Sequence, residues 1–180
     1  AEGVKNALRA GIDCIEHGMF IDDEALDFMK KHDIPYVPTL VAPWICAMVG
    51  EERGLSKEAV EKTKSAIGRH MASFKKAVAK GIRIAMGTDA GTPFCEHGKA
   101  YIGELKLMVE GGFTPMQAIT AATKSSAEVV GVSDSRGTLE PGKEADFLVL
   151  DVNPLDNLEA FGDIREVYQG GRRVERKYHR

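Results

Sequence analysis

Ile82-Arg83-Ile84-Ala85-Met86-Gly87-Thr88-Asp89-Ala90-Gly91 decides the reading of this chain. An apolar strand over residues 82–87 ends on a carboxylate, where burial alone would favour another apolar side chain. Just upstream, Val60, Thr63, Ile67, Met71, Phe74 and Val78 recur at spacings of three and four, the period of a helix with one apolar stripe. Ser56 caps the start of that helix and Gly81 ends it. Before it, the run Tyr36-Val37-Pro38-Thr39-Leu40-Val41 is a second strand, followed by a segment over 42–55 that reads as irregular and carries the only tryptophan, Trp44. An earlier helix opens near Asp22, with Asp23 and Glu24 in its first turn, where carboxylates interact favourably with the helix dipole, and breaks at Asp33-Ile34-Pro35. The first strand, Ile12-Asp13-Cys14-Ile15, follows a helix over residues 2–10 and terminates in Glu16-His17-Gly18.

Downstream of Asp89 a loop reaches about Lys99. A helix then runs through Ile102, Leu105, Met108 and Val109 to Gly111-Gly112. Thr114-Pro115-Met116-Gln117 has the form of a capping box with proline at the first helical position, predicting a last helix to about residue 130. Strand and helix alternate three times, which reads as an α/β fold with a parallel sheet. The character changes near Gly131. Residues 133–137 have linker composition, and strands over 145–150, 164–169 and 172–174 follow without intervening helices. Two domains are expected, 1–132 and 133–180.

Of 180 residues, 43% are apolar and 28% charged, with a formal net charge of −3. That balance gives no basic stripe for nucleic acid. The run Gly170-Gly171-Arg172-Arg173-Val174-Glu175-Arg176-Lys177 reads as a solvated tail. No apolar stretch approaches the ~20 residues of a membrane span. The three cysteines (Cys14, Cys46, Cys95) lack CxxC spacing and do not suggest a disulfide framework, so a reducing, cytoplasmic setting is expected.

His17 and Asp89 each end an apolar strand. In parallel α/β folds such ends form the active face, and imidazole and carboxylate both bind zinc and similar ions. A lone strand-end histidine is more often a structural hydrogen-bonding group; the pairing with Asp89 is what points to a site. His97, in Phe94-Cys95-Glu96-His97-Gly98, is a candidate substrate contact or a solvated loop residue. Trp44 is a candidate pocket wall or a packing residue. His32 and His70 read as surface or packing residues on the outside of the fold, His179 as part of the tail, Cys14 as a buried filler, and Asp146 as a turn-fixing residue.

The motifs Ile15-Glu16-His17-Gly18 and Gly87-Thr88-Asp89-Ala90-Gly91-Thr92-Pro93 resemble those of the amidohydrolase superfamily, as does the exit pattern Gly137-Thr138-Leu139-Glu140-Pro141-Gly142-Lys143-Glu144-Ala145-Asp146-Phe147-Leu148-Val149-Leu150-Asp151. The likeness is to the imidazolonepropionase-like and prolidase-like branch (Xaa-Pro and related dipeptidases). It implies that residues 1–132 are the C-terminal part of a TIM-type (β/α)8 barrel, strands six to eight, and 133–180 the C-terminal strands of a small β-sandwich. It implies a divalent metal, zinc foremost, one or two per subunit, with His17 and Asp89 as ligands and Asp89 as general base and then acid. A small-molecule or dipeptide substrate and a homo-oligomer are further implications. The family's HxH pair, its metal-bridging lysine and its strand-five histidine have no counterpart here, so the chain by itself is expected to be inactive and to present an open three-stranded parallel sheet. The alternatives are a one-metal deaminase or cyclic-amide hydrolase of the same superfamily, and a non-catalytic scaffold relative.

Overall fold

The structure, a computed structural model, describes residues 1–175. Its first helix, α1 (Glu2–Arg9), is tied to α2 (Asp23–Lys31) by Lys5, which contacts both Asp22 and Glu24. Asp22 caps α2, its side chain accepting the Ala25 N–H at 2.9 Å. Between these helices lies β1 (Ile15–Glu16), paired in parallel with β2 (Tyr36–Val37). On the other side of β2, Ile84 forms a parallel bridge to Tyr36, with Tyr36 N donating to Arg83 O and Ala85 N to Tyr36 O. The three parallel segments are therefore adjacent in the expected order. The third contributes a single bridge rather than a strand over 82–87. The structure is a mixed α/β fold whose parallel strands are much shorter than their apolar runs.

The segment over 42–55 is not irregular. Residues Val41–Val49 form helix α3. Its N-cap, Leu40, has no side-chain cap, and nine residues alone would be a marginal helix. What completes its N-terminus comes from far away in sequence. Both carboxylate oxygens of Glu104 accept N–H groups there, Leu40 N at 3.0 Å and Val41 N at 2.6 Å. Glu104 lies on α5 (Ala100–Glu110), and between the two helices runs α4 (Lys57–Ala79), capped as expected by Ser56.

The buried stripe of α4 is rotated from the expected one. Val60, His70, Ser73, Phe74 and Ala77 are buried, whereas Thr63, Ile67, Met71 and Val78 are half-buried. Ion pairs at the surface link α4 to α2, with Lys76 reaching Asp23 and Lys80 reaching Asp27. The last expected helix is broken into α6 (Pro115–Thr120), a π-helical turn (Ala121–Ser125) and α7 (Ser126–Val129). The capping box at Thr114 and Gln117 is present. The π turn has a structural use: the Ala121 carbonyl accepts Met86 N–H at 3.0 Å, and Ser126 Oγ, 2.7 Å from that same carbonyl, also lies 3.2 Å from Met86 O. The helix thus holds the third parallel segment where regular pairing is missing.

Beyond residue 131, β3 (Phe147–Leu150), β4 (Ile164–Gln169) and β5 (Arg172–Arg173) form an antiparallel sheet in that order. A register irregularity falls between Val149 and Leu150. Arg172 and Arg173 pair with Gln169 and Tyr168, forming a strand where one was expected over 172–174, so this part of the basic run is not tail. Asp146, expected to fix the turn into the first of these strands, bonds a different turn: it accepts Gly170 N–H at 2.7 Å, between β4 and β5. The short 3-10 helix Leu158–Gly162 joins the main core through Leu158 and places Phe161 edge-on to Tyr101 of α5. Among the described residues no helix is long and apolar enough to cross a membrane. Cys14 is half-exposed, its thiol near Glu16, and is not the buried filler expected. His179 and the end of the basic run lie outside the described residues.

Candidate metal and active site

The C-terminal ends of the three parallel segments carry His17, Thr39 and Asp89. All three have positive φ, at 63°, 52° and 51°. A left-handed β-branched residue such as Thr39 is a strained conformation that the surroundings must enforce. Glycines make the turns possible. Gly18 follows His17 with φ 52°, and a Cβ there would stand 2.4 Å from Ile21 Cδ1 and 2.9 Å from the Tyr36 ring. A Cβ on Gly87 would stand 2.5 Å from Val37 Cγ1, so the segment leading to Asp89 lies directly on β2.

His17 is held from several sides. Its N–H donates to Val37 O at 2.9 Å, continuing the parallel ladder. Its carbonyl accepts the Tyr36 hydroxyl at 2.9 Å, and its ring Nδ1 lies 2.7 Å from Thr39 Oγ1. Tyr36 is fully buried, and burial, with a smaller push from the charge of Glu104, raises its pKa, so the hydroxyl stays a donor. Asp89 starts a tight loop in which Thr92 Oγ1 donates to the Asp89 carbonyl at 2.9 Å and Gly91 N to Cys95 O at 2.9 Å. The loop holds the Asp89 backbone, and no described residue bonds its carboxylate.

His17, Thr39 and Asp89 line one cavity of about 630 Å³, with Met19, Phe20 and Pro43 among its apolar walls. His70 lines it too, correcting its expected place on the outside. It is 2% exposed and lies against the carbonyls of His17 and Pro38. Burial lowers its pKa, and the two carbonyls oppose that shift, so the ring is neutral above its depressed pKa. Its Nε2 has no hydrogen-bond partner among the described residues. The sequence held the signal: His70 is four residues before Phe74, on the truly buried stripe. Glu104 was missed for a similar reason, although it shares a helix face with Ala100 and Met108. Desolvation pushes its carboxyl up to about 7, against the two N–H bonds that favour ionisation.

Trp44 and His97 do not join this cavity. Trp44 is 41% exposed and borders a smaller depression with Phe94 and Lys99. His97 is exposed, its Nε2 above Gly91. The cavity thiol Cys46 and the nearby Cys95 are both raised in pKa by burial, which makes neither a ready thiolate.

The donors fit a divalent ion in type. An imidazole with Nδ1 already bonded presents Nε2, and Asp89 offers an unengaged carboxylate. They do not fit in number. Among the described residues no three His, Cys, Asp or Glu side chains gather as a metal site, while a catalytic zinc usually takes three protein ligands.

A sequence model of the amidohydrolase family matches residues 1–174. The chain belongs to the amidohydrolase family. It is 35% identical over 176 residues to ochratoxinase of Aspergillus niger, covering 94% of this chain and 35% of that protein. The crystal structure of a Xaa-Pro dipeptidase with methionine bound in its active site superposes with TM-score 0.88 at 37% identity, covering 97% of this chain and 43% of that one. A putative prolidase from Bifidobacterium longum superposes with TM-score 0.89 at 35% identity, covering 97% and 45%. This amidohydrolase chain thus spans less than half the length of these relatives.

Proposed function

We propose that this chain is part of a divalent-metal-dependent amidohydrolase that cleaves amide bonds of small substrates, dipeptides foremost. His17 is a metal ligand; Asp89 is a ligand that also transfers the proton. In this reading the three parallel segments are strands six, seven and eight of a TIM-type barrel. The antiparallel sheet is part of a sandwich completed by other residues of the same protein. The remaining metal ligands likewise lie outside these residues, and zinc is the ion proposed.

The observation that carries the reading is the convergence of His17 and Asp89, from separate strand ends, on one cavity with their donor atoms free. When bound, the ion supplies Lewis-acid activation of water and of the scissile carbonyl. Asp89 takes the proton that water loses on attacking the amide carbon, and returns it to the leaving nitrogen as the C–N bond breaks. Its freedom from internal partners suits it to both transfers. The dipeptide preference is supported by the cavity's character: apolar walls suit a side chain, and Lys62 at its edge has no ion-pair partner among the described residues. The relatives named as a dipeptidase and a prolidase point the same way.

The test is metal analysis of the full-length gene product purified under zinc-replete conditions, with hydrolysis of a dipeptide panel. Bound metal and dipeptide turnover are expected. A metal-free protein would overturn the proposal, and metal with turnover only of non-peptide amides would overturn the substrate part.

A further inference from the structure

Helix α4 turns one face into the cavity that holds Asp89. Lys62, Ala66 and His70 recur every four residues and all line it, with Thr63 and Ser65 beside them. The hydroxyls on this wall are committed to the helix itself. Thr63 Oγ1 donates to Ala59 O at 2.8 Å and Ser65 Oγ to Lys62 O at 2.7 Å, so each has used its one proton. His70 is buried, whereas Lys62 is exposed and brings three donors and no acceptor. Other cations of α4 are neutralised: Lys57 pairs with Glu51, Lys64 with Glu61, Lys76 with Asp23 and Lys80 with Asp27. Lys62 has no such partner among the described residues. Arg69, two turns further along α4, adds positive charge on the same side. Its guanidinium lies 4.2 Å from the ring centroid of Phe20, itself a wall of the cavity.

We propose that Lys62 is a substrate-binding residue whose ammonium takes a carboxylate carried by the substrate, so that the cavity selects amides with a free carboxylate over their neutral analogues. This deepens the reading of the cavity as the substrate site of an amidohydrolase and rests on it, but it involves no metal ion. The pairing suits the surroundings. Met19, Phe20, Ala42 and Pro43 make the walls largely apolar, and beside such walls the attraction between ammonium and carboxylate is screened less than in open water. A carboxylate also accepts a charge-assisted bond, roughly twice as strong as the one a carboxamide oxygen accepts. Arg69 touches Phe20 rather than the substrate, and contributes only to the positive field along this wall.

Two measurements on the full-length protein test this. The first is equilibrium binding of N-acetylleucine and of its carboxamide to chelator-treated protein, by calorimetry, so that no bound ion competes for the carboxylate. The wild type is expected to bind the acid about 10-fold more tightly than the amide, and Lys62→Met to lose that preference. Lys62→Arg keeps the charge and should keep the preference. Lys64→Met, which removes a cation already paired with Glu61, should leave it unchanged. Equal binding of acid and amide by the wild type, or a preference that survives in Lys62→Met, overturns the proposal. The second is steady-state kinetics on a dipeptide and on the same dipeptide with a C-terminal carboxamide. Lys62→Met should raise KM for the first about 10-fold, to the level of the second, with kcat little changed. If the wild type hydrolyses both with the same KM, the role of Lys62 fails and the amidohydrolase reading stands. If it hydrolyses no amide at all, that reading fails, while the binding measurement still decides whether Lys62 holds a carboxylate.

Discussion

The parallel and the antiparallel parts of this chain place regularity and chemistry in opposite regions. The antiparallel sheet has a four-residue and a six-residue strand, a turn set by Asp146, and stacked Phe147 and Tyr168 rings 4.5 Å apart. It carries no residue of the candidate site. The parallel part has two-residue strands and three left-handed residues at their ends, and it carries His17, Thr39 and Asp89. Regular strand geometry keeps side chains on fixed alternating faces. To aim an imidazole, a hydroxyl and a carboxylate into one cavity the backbone must leave that geometry, and contacts from elsewhere must hold it there: Tyr36 on His17, the π turn on Met86, Glu104 on α3.

The largest expected effect sharpens this contrast at Asp89. Asp89→Asn in the full-length protein should lower kcat/KM for an amide substrate by about three orders of magnitude, since general acid–base transfer contributes roughly 10²–10⁴. Asp89 is exposed and supports no other group through its carboxylate, so thermal denaturation should be unchanged; a parallel loss of Tm would mean a structural role instead.

Glu104 tests whether distant contacts hold the parallel part together. Glu104→Ala leaves the Leu40 and Val41 N–H groups buried without acceptors, at about 1–3 kcal/mol each in urea unfolding. Glu104→Gln should change the pH dependence. A carboxyl raised from 4.5 to about 7 takes up a proton on folding, so its stabilising contribution is present below 4.5 and is lost as pH rises through about 7. Wild-type stability should therefore carry a falling component over that window, and the Gln variant should lack it. An identical pH slope in both would break the argument.

The antiparallel side should respond differently. Phe147→Leu removes the ring stack and should cost about 1 kcal/mol, with zinc affinity and kcat/KM unaltered. A loss of affinity would show that the two regions are coupled. Smallest of all, Lys76→Ala removes an exposed contact to Asp23 and should change stability by less than about 1 kcal/mol.

Much of the architecture was legible in local patterns. Ser56, Asp22 and the Thr114–Gln117 box mark helix starts because capping is a contact within a few residues. Strand positions followed from apolar runs, and their lengths did not, because pairing depends on the neighbour. Helix α3 was read as irregular since its N-terminal acceptor is sixty-odd residues away on Glu104. The expected α4 stripe shares Val60 and Phe74 with the buried face and misses His70, Ser73 and Ala77; the reading of His70 as an outside residue rested on its place in a helix, which does not say which way that face turns.

By itself the sequence determined the strand–helix order, the two strand ends bearing His17 and Asp89, and membership of the amidohydrolase family, since each rests on residue types at fixed spacing. Only the tertiary structure decided that Thr39 bonds His17, that His70 faces the cavity, and that Glu104 completes a helix. These depend on groups distant in the chain being brought within bonding distance, and such contacts leave no periodicity to read.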